Sequence, residues 1–280
     1  MSIGIIGTKC ITRTGFSKGK FIPFIYVLVE DSLAKEVIEL MFPRDSVNKP
    51  KSAIKCIISG VWQNQAACMY GFYTYGNELI SSYRIPFFSI LAVADGDICE
   101  ENQNKRLDKV IKGDSLNKDQ VEIKEKIRSH TTQFKLEYRE GPGTNNEKIK
   151  ALPEYNHKKW FDEITEQMIL DQHQNVLDGP DKLNKMEIDT LLEVIAYSKS
   201  ILTDQSVEKI DYHCYYNRLK AFAPKYPCPR MNHIEYYVLS AIRQYNPVKW
   251  ECYIAPVRDR IMALAEENHE RFKSSHFDLR

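Results

Sequence analysis

The chain has no apolar run of the roughly 18 residues that a membrane-spanning helix needs. Its longest, residues 85–94, is the length of a strand. The N-terminal residues carry no basic segment ahead of an apolar core, so a secretory signal is not expected. Close cysteine pairs are absent as well. The seven cysteines are odd in number and scattered, and neither Cys-x-x-Cys nor an Asn-x-Ser/Thr acceptor occurs. These absences argue against a disulfide-stapled secreted domain and for a soluble, reduced, cytoplasmic protein with no membrane contact. An excess of either charge is also lacking. Thirty-nine basic and 38 acidic residues leave a net charge of +1, whereas a dedicated nucleic-acid binder is far more basic. There is no internal repeat and no low-complexity tract.

What is present is a chain of 280 residues, enough for one large domain or two modest ones. Residues 4–12 and 21–29 are rich in β-formers and flank a glycine-punctuated turn. Residues 30–42 predict a helix with Leu33, Val37, Leu40 and Met41 on one face, Asp31 or Ser32 as its cap and Pro43 as its stop. Residues 53–62, 66–75 and 79–94 predict three further strands. The β-β-α-β-β-β order predicts an α+β fold, an antiparallel sheet with a helix on one face. Residues 100–150 read as a charged connection carrying a helix near 120–128. Thr132, Phe134, Leu136 and Tyr138 alternate there as a sixth strand. Residues 151–280 show five apolar stripes at helical spacing and predict a bundle of about five helices. Asn232 and Glu235 have capping-box spacing ahead of the fourth stripe, and Pro256 suits the first turn of the fifth. The expected domains are 1–99, 100–150 and 151–280.

Five groups of residues bear on chemistry. Trp62 to Phe72 resembles the nucleophile turn of papain-like hydrolases, where a Gln amide serves the oxyanion and a Cys thiolate attacks. Cys68 would be the nucleophile and His213 or His233 its base. The alternation around Cys68 predicts instead a buried thiol on a strand. Asp95-Gly96-Asp97 follows an apolar run, as does the D-x-D of metal-dependent nucleotide-sugar transferases, whose carboxylates hold a divalent cation on a diphosphate. An Asp-Gly turn explains the same residues. Gly15 to Lys20 misses the phosphate-loop spacing, and with Arg13, Lys18 and Lys20 it reads as a basic hairpin open to an anionic partner. His213, Cys214, Cys228, His233 and Cys252 are of zinc-ligating types, but their spacing fits no zinc site class. Tyr212, Tyr215, Tyr216, Arg218 and Lys220 mix aromatic and basic groups, which suits single-stranded nucleic acid, a protein interface or a helix-packing seam.

No group stands out from its structural explanation, and no cofactor is expected. The reading is a regulatory or protein-interaction protein that binds a partner or a second copy of itself through surfaces, without catalysis. Two alternatives stand beside it. One is a cysteine hydrolase or metal-dependent transferase using Cys68 or Asp95 and Asp97. The other is an RNA or phosphate-ligand binder acting through residues 13–20.

Overall fold

The computed structural model describes residues 16–17, 20–21, 24–42, 50–83, 88–94, 100–112, 116–135, 138–140, 148–150, 153–174, 182–201, 215–225 and 233–274. In chain order the first of these form β1 (Phe16–Ser17), β2 (Lys20–Phe21), β3 (Phe24–Val29), α1 (Ser32–Met41), β4 (Ala53–Ile58), α2 (Trp62–Tyr83), β5 (Phe88–Ala94), α3 (Glu100–Val110), α4 (Lys118–Ser129) and β6 (Thr131–Gln133). After them come β7 (Tyr138–Glu140), β8 (Lys148–Lys150), α5 (Pro153–Asp162), α6 (Glu166–His173), α7 (Lys185–Ser200), α8 (Tyr215–Leu219), α9 (Ile234–Tyr245) and α10 (Pro247–Ser274). The chain divides into two units, 1–134 with 256–280, and 135–255.

The antiparallel α+β expectation is overturned. The first unit is built on a four-stranded sheet of order β4-β3-β5-β6, and every pairing in it is parallel. Parallel neighbours cannot be joined by a hairpin. They need a crossover, usually helical, and here α1, α2 and the α3–α4 pair supply it. Strands covered on both faces read as near-continuous apolar runs. β3 (FIYVLV) and β5 (FSILAVA) are of that kind, and Ile25, Val27, Val29, Leu91, Ala92, Val93 and Ala94 are all fully buried.

Residues 66–75, expected as a strand, lie inside α2. The reason is in the burial. Trp62, Gln65, Ala66, Met69 and Gly76 are buried, and Phe72 and Tyr73 are half-buried between them. That is a period of 3.6, not 2. Leu28, Ile90, Ala92 and Ala94 project from one face of the sheet and pack with Trp62, Ala66 and Met69 of α2, Leu107 of α3 and Ile127 of α4. Burying each large apolar side chain there contributes about 1.5–3 kcal/mol. Ser89 points to the opposite face, where its hydroxyl donates to Asn268 Oδ1 of α10 at 2.7 Å. The charged stretch after residue 100 folds as α3 and α4. α4 starts on a capping box between Asn117 and Gln120, and the two helices are joined by an ion pair of Lys124 with Asp108.

The second unit holds the β7–β8 hairpin, α5 to α9 and the start of α10. With ten helices among the described residues, the five-helix expectation falls. α10 continues through Pro256 instead of beginning there, which removes one helical hydrogen bond to the carbonyl of Cys252. His233, not Asn232, is the N-cap of α9, and it makes no side-chain cap bond. The unit's core gathers Trp160, Phe161, Ile164, Ile169, Val194, Leu239, Ile242, Trp250 and Ile254.

Candidate functional site

A parallel sheet places all its strand carboxyl ends on one edge. Where the strand order reverses, the flanking crossovers diverge and leave a crevice. Here β3 comes first in the chain, β4 lies on one side of it and β5 on the other. The reversal therefore falls between β3 and β5. Their register pairs Leu28 with Ala92. Continued by two residues, it sets Glu30 level with Ala94. The next residues in the chain after Ala94 are Asp95-Gly96-Asp97, which lie outside the described residues.

The described side chains around this edge are well fixed. Asp31 is the N-cap of α1, and its carboxylate accepts from Ala34 N at 2.8 Å. Glu30, the residue before it, is half-buried at the end of β3. The turn after β4 folds over β3, with Ser59 N and Ser59 Oγ both donating to Val29 O, at 2.9 and 3.2 Å. Gly60 in that turn has φ 76°, a left-handed conformation that favours glycine.

Gln65, in the first turn of α2, is fully buried. Its Nε2 donates to Gly60 O at 3.3 Å and to Val93 O at 3.2 Å, tying the β4–α2 turn to the carboxyl end of β5 across the end of β3. With both its amide protons on carbonyls, the orientation of the amide is settled, and Oε1 is a buried acceptor with no hydrogen-bond partner among the described residues. Next to it Trp62 Nε1 donates to Gln103 O at 3.2 Å, and Gln103 Nε2 donates to Gln133 Oε1, also at 3.2 Å. The edge is thus lined by carboxamides, the Glu30 and Asp31 carboxylates and the N-termini of α1 and α2. The N-terminus of α1 is already met by the Asp31 carboxylate, whereas α2 carries no acidic residue in its first turn, so the α2 end favours an anion.

Of the sequence-derived candidates, Lys20, Cys68, Tyr216, Arg218, His233 and Cys252 are among the described residues. Cys68 is exposed in the second turn of α2, not buried on a strand and not at a helix start. His213, Cys214, Cys228, Tyr212, Arg13 and Lys18 lie outside the described residues, as do Asp95, Asp97 and the expected strand 4–12. Lys20 pairs with Ser17 in the short β1–β2 ladder. His233 is exposed at the start of α9, and Cys252 is exposed on α10; both belong to the second unit. Tyr216 is buried and Arg218 exposed on α8. Among the described residues, no three His, Cys, Asp or Glu side chains come together to hold a metal, and no helix is long and apolar enough to cross a membrane. Glu30 and Gln65 were missed by motif reading. The signal that finds them is the strand order, which one sequence does not display. No protein-family model, curated protein or solved structure matches the chain.

Proposed function

We propose that the carboxyl edge of the parallel sheet is a divalent-cation site for phosphoryl transfer or hydrolysis of a phosphate ester, with Glu30, Asp95 and Asp97 as the carboxylates. The observation that carries the reading is the β4-β3-β5-β6 order, because it sets Glu30 beside the strand that runs into Asp95-Gly96-Asp97. Carboxylate oxygens suit a hard cation such as Mg²⁺ or Mn²⁺. Mg²⁺ in particular is held by few carboxylates and completes its shell with waters and substrate phosphate oxygens. A cation held by Glu30, Asp95 and Asp97 would supply charge neutralisation at the phosphoryl oxygens and a more acidic water. Hydrolysis of the ester would join a water oxygen to phosphorus as the bond to the ester oxygen breaks, the proton leaving with the alcohol. The N-terminus of α2 at the same edge favours the phosphate. The test is turnover of a generic phosphate ester, bis(p-nitrophenyl) phosphate, with Mg²⁺ or Mn²⁺ and with EDTA. Activity that needs the metal and disappears in Asp95→Asn and Asp97→Asn supports the reading. Activity unchanged in both variants refutes it.

A role in protein interaction has one observation of its own. Edge strand β4 and the turn after it expose Ile57, Ile58 and Val61, at 38, 53 and 49% of their surface. Among the described residues β4 is paired on one side only, and an apolar strip on such a sheet edge invites pairing with another chain. Light scattering of wild type and Ile58→Lys decides whether the strip mediates self-association. A mass that falls in the variant supports it, and an identical mass removes it.

A further inference from the structure

The part of α10 that belongs to the first unit carries Arg260, Leu264, Glu267 and Arg271 at helical spacing on one face. Leu264 is fully buried. The charged side chains around it are open to solvent, with 27% of Arg260, 42% of Glu267 and 58% of Arg271 exposed. Two guanidiniums converge on the one Glu267 carboxylate. Arg260 Nη1 donates to its Oε1 at 3.4 Å, and Arg271 Nη2 lies 3.8 Å from its Oε2. Both contacts are longer than the about 2.7–2.9 Å of a firm charge-assisted hydrogen bond. Arg260 Nε has no acceptor among the described residues. The same guanidiniums act on a pair of rings in this unit. Tyr73 of α2 and His130, the C-cap of α4, are half-buried with ring centroids 5.8 Å apart, and the Tyr73 hydroxyl is hydrogen-bonded to His130 Nδ1. Burial first, and then Arg260, hold the His130 pKa down at about 4. Arg271 and Lys126 push the same way, and Glu267 opposes them. Lys126 is itself paired with Glu122 at 2.7 Å.

Donors and positive charge are therefore in excess over acceptors in this cluster. Two guanidiniums share one loosely held carboxylate, and protonation of His130 adds a third cation. Its Nδ1–H is then met by the Tyr73 oxygen, which leaves Nε2–H as a further donor. A cation would be repelled here, and a neutral ligand would leave the charge uncompensated. The group that matches the set is an anion with several acceptor oxygens, because the planar guanidinium forks grip phosphate and sulfate oxygens in pairs. The Glu267 carboxylate marks where such an anion would stand, between the two arginine ends. Being 42% exposed, it can turn out into water when another anion takes its place.

We propose that Arg260 and Arg271, with His130 beside them, bind a tetrahedral oxyanion, either free phosphate or the phosphate group of a small ester, at the position the Glu267 carboxylate fills. The site is built by one unit and does not depend on the chemistry proposed for the carboxyl edge of the sheet. Inorganic phosphate, phenyl phosphate and sulfate are titrated into the full chain at constant ionic strength, with chloride as the balancing anion. Imidazole resonances are followed by NMR, the His130 signal being the one that is missing in His130→Gln. Saturable shifts of that signal are expected, with a dissociation constant of about 1 mM. Tighter binding of phenyl phosphate than of phosphate assigns the site to an ester, and the reverse order assigns it to the free ion. Glu267→Ala vacates the position and is expected to tighten binding. Arg260→Gln is expected to weaken it by about tenfold or more, and Glu30→Gln to leave it unchanged. Arg271→Gln, a change at an exposed position, is also expected to weaken binding and is the deciding variant should Arg260→Gln fail to fold. Sulfate does not titrate in this range, and it is expected to raise the pH at which the His130 ring protonates from about 4 towards its ordinary 6.5. The proposal is overturned if phosphate, phenyl phosphate and sulfate shift the signal no more than chloride does. It is also overturned if both arginine variants bind as wild type does, or if Glu267→Ala weakens binding.

Discussion

Gln65 and Cys68 stand three residues apart on α2 in opposite environments. Gln65 is enclosed and holds two main-chain carbonyls, whereas Cys68 faces solvent. Gln65→Leu leaves Gly60 O and Val93 O without their donor and is expected to cost about 1–3 kcal/mol, read as a drop in urea midpoint at constant m. Cys68→Ala is expected to change stability by less than about 0.5 kcal/mol, as at other exposed positions. The thiols separate in the same way. Burial first, and then Glu39, push Cys56 up to about 12. Native-state alkylation near neutral pH is thus expected to modify Cys68 quickly and Cys56 slowly. Equal rates would show that the environments are misassigned. The Trp62–Phe72 stretch was legible as special, but its chemistry was not. A glutamine beside a cysteine suggests an oxyanion donor, yet the Gln65 protons are spent on the protein's own carbonyls. Only the fold reveals that.

At the scale of elements, the apolar content of β3, α1 and β5 was readable in the sequence, including the Asp31 cap. The direction of the strands was not. An apolar run buried on both faces marks a strand inside a parallel sheet, but β-rich segments separated by short polar turns suggest a meander equally well. The tie was broken wrongly at α2. Its tyrosines and Phe72 favour strands locally, while burial at Trp62, Gln65, Ala66 and Met69 needs a helix. Tertiary packing overrode propensity. The β4–α2 turn offers a direct check. Gly60→Ala forces a left-handed φ of 76° on an L-residue and brings its Cβ to 3.3 Å from Asn64 Nδ2. It is expected to cost about 1 kcal/mol. In α5, Asn156 Nδ2 and Oδ1, His157 Nε2 and Trp160 Nε1 are buried without a hydrogen-bond partner among the described residues, and would cost about 1–3 kcal/mol each. That sum rivals the whole stability of a typical domain.

For the molecule as a whole, two imidazoles set a pH dependence. Burial holds His157 down at about 3 and, chiefly, His130 at about 4, against an ordinary value of 6.5. The hydroxyl of Tyr73 is hydrogen-bonded to the His130 ring. In the unfolded chain both take up protons as pH falls through 6.5, while the folded protein does not. The unfolded state then binds more protons, and stability falls with pH. Between about pH 7 and pH 5 His157 contributes a slope of up to about 1.4 kcal/mol per unit. His130 contributes less, because its ring is part-exposed and screened. His157→Gln is expected to flatten the dependence of the urea midpoint on pH in that window. An unchanged slope would place His157 in contact with solvent.

The central claim is that the parallel order of the sheet makes its carboxyl edge a cation site, and calorimetric titration of Mn²⁺ into the full chain tests it most directly. The expected result is saturable binding at one class of site, lost in Asp97→Asn, weakened in Glu30→Gln and unchanged in Cys68→Ala. Absence of saturable binding in the folded wild type, or equal binding in wild type and Asp97→Asn, would contradict it.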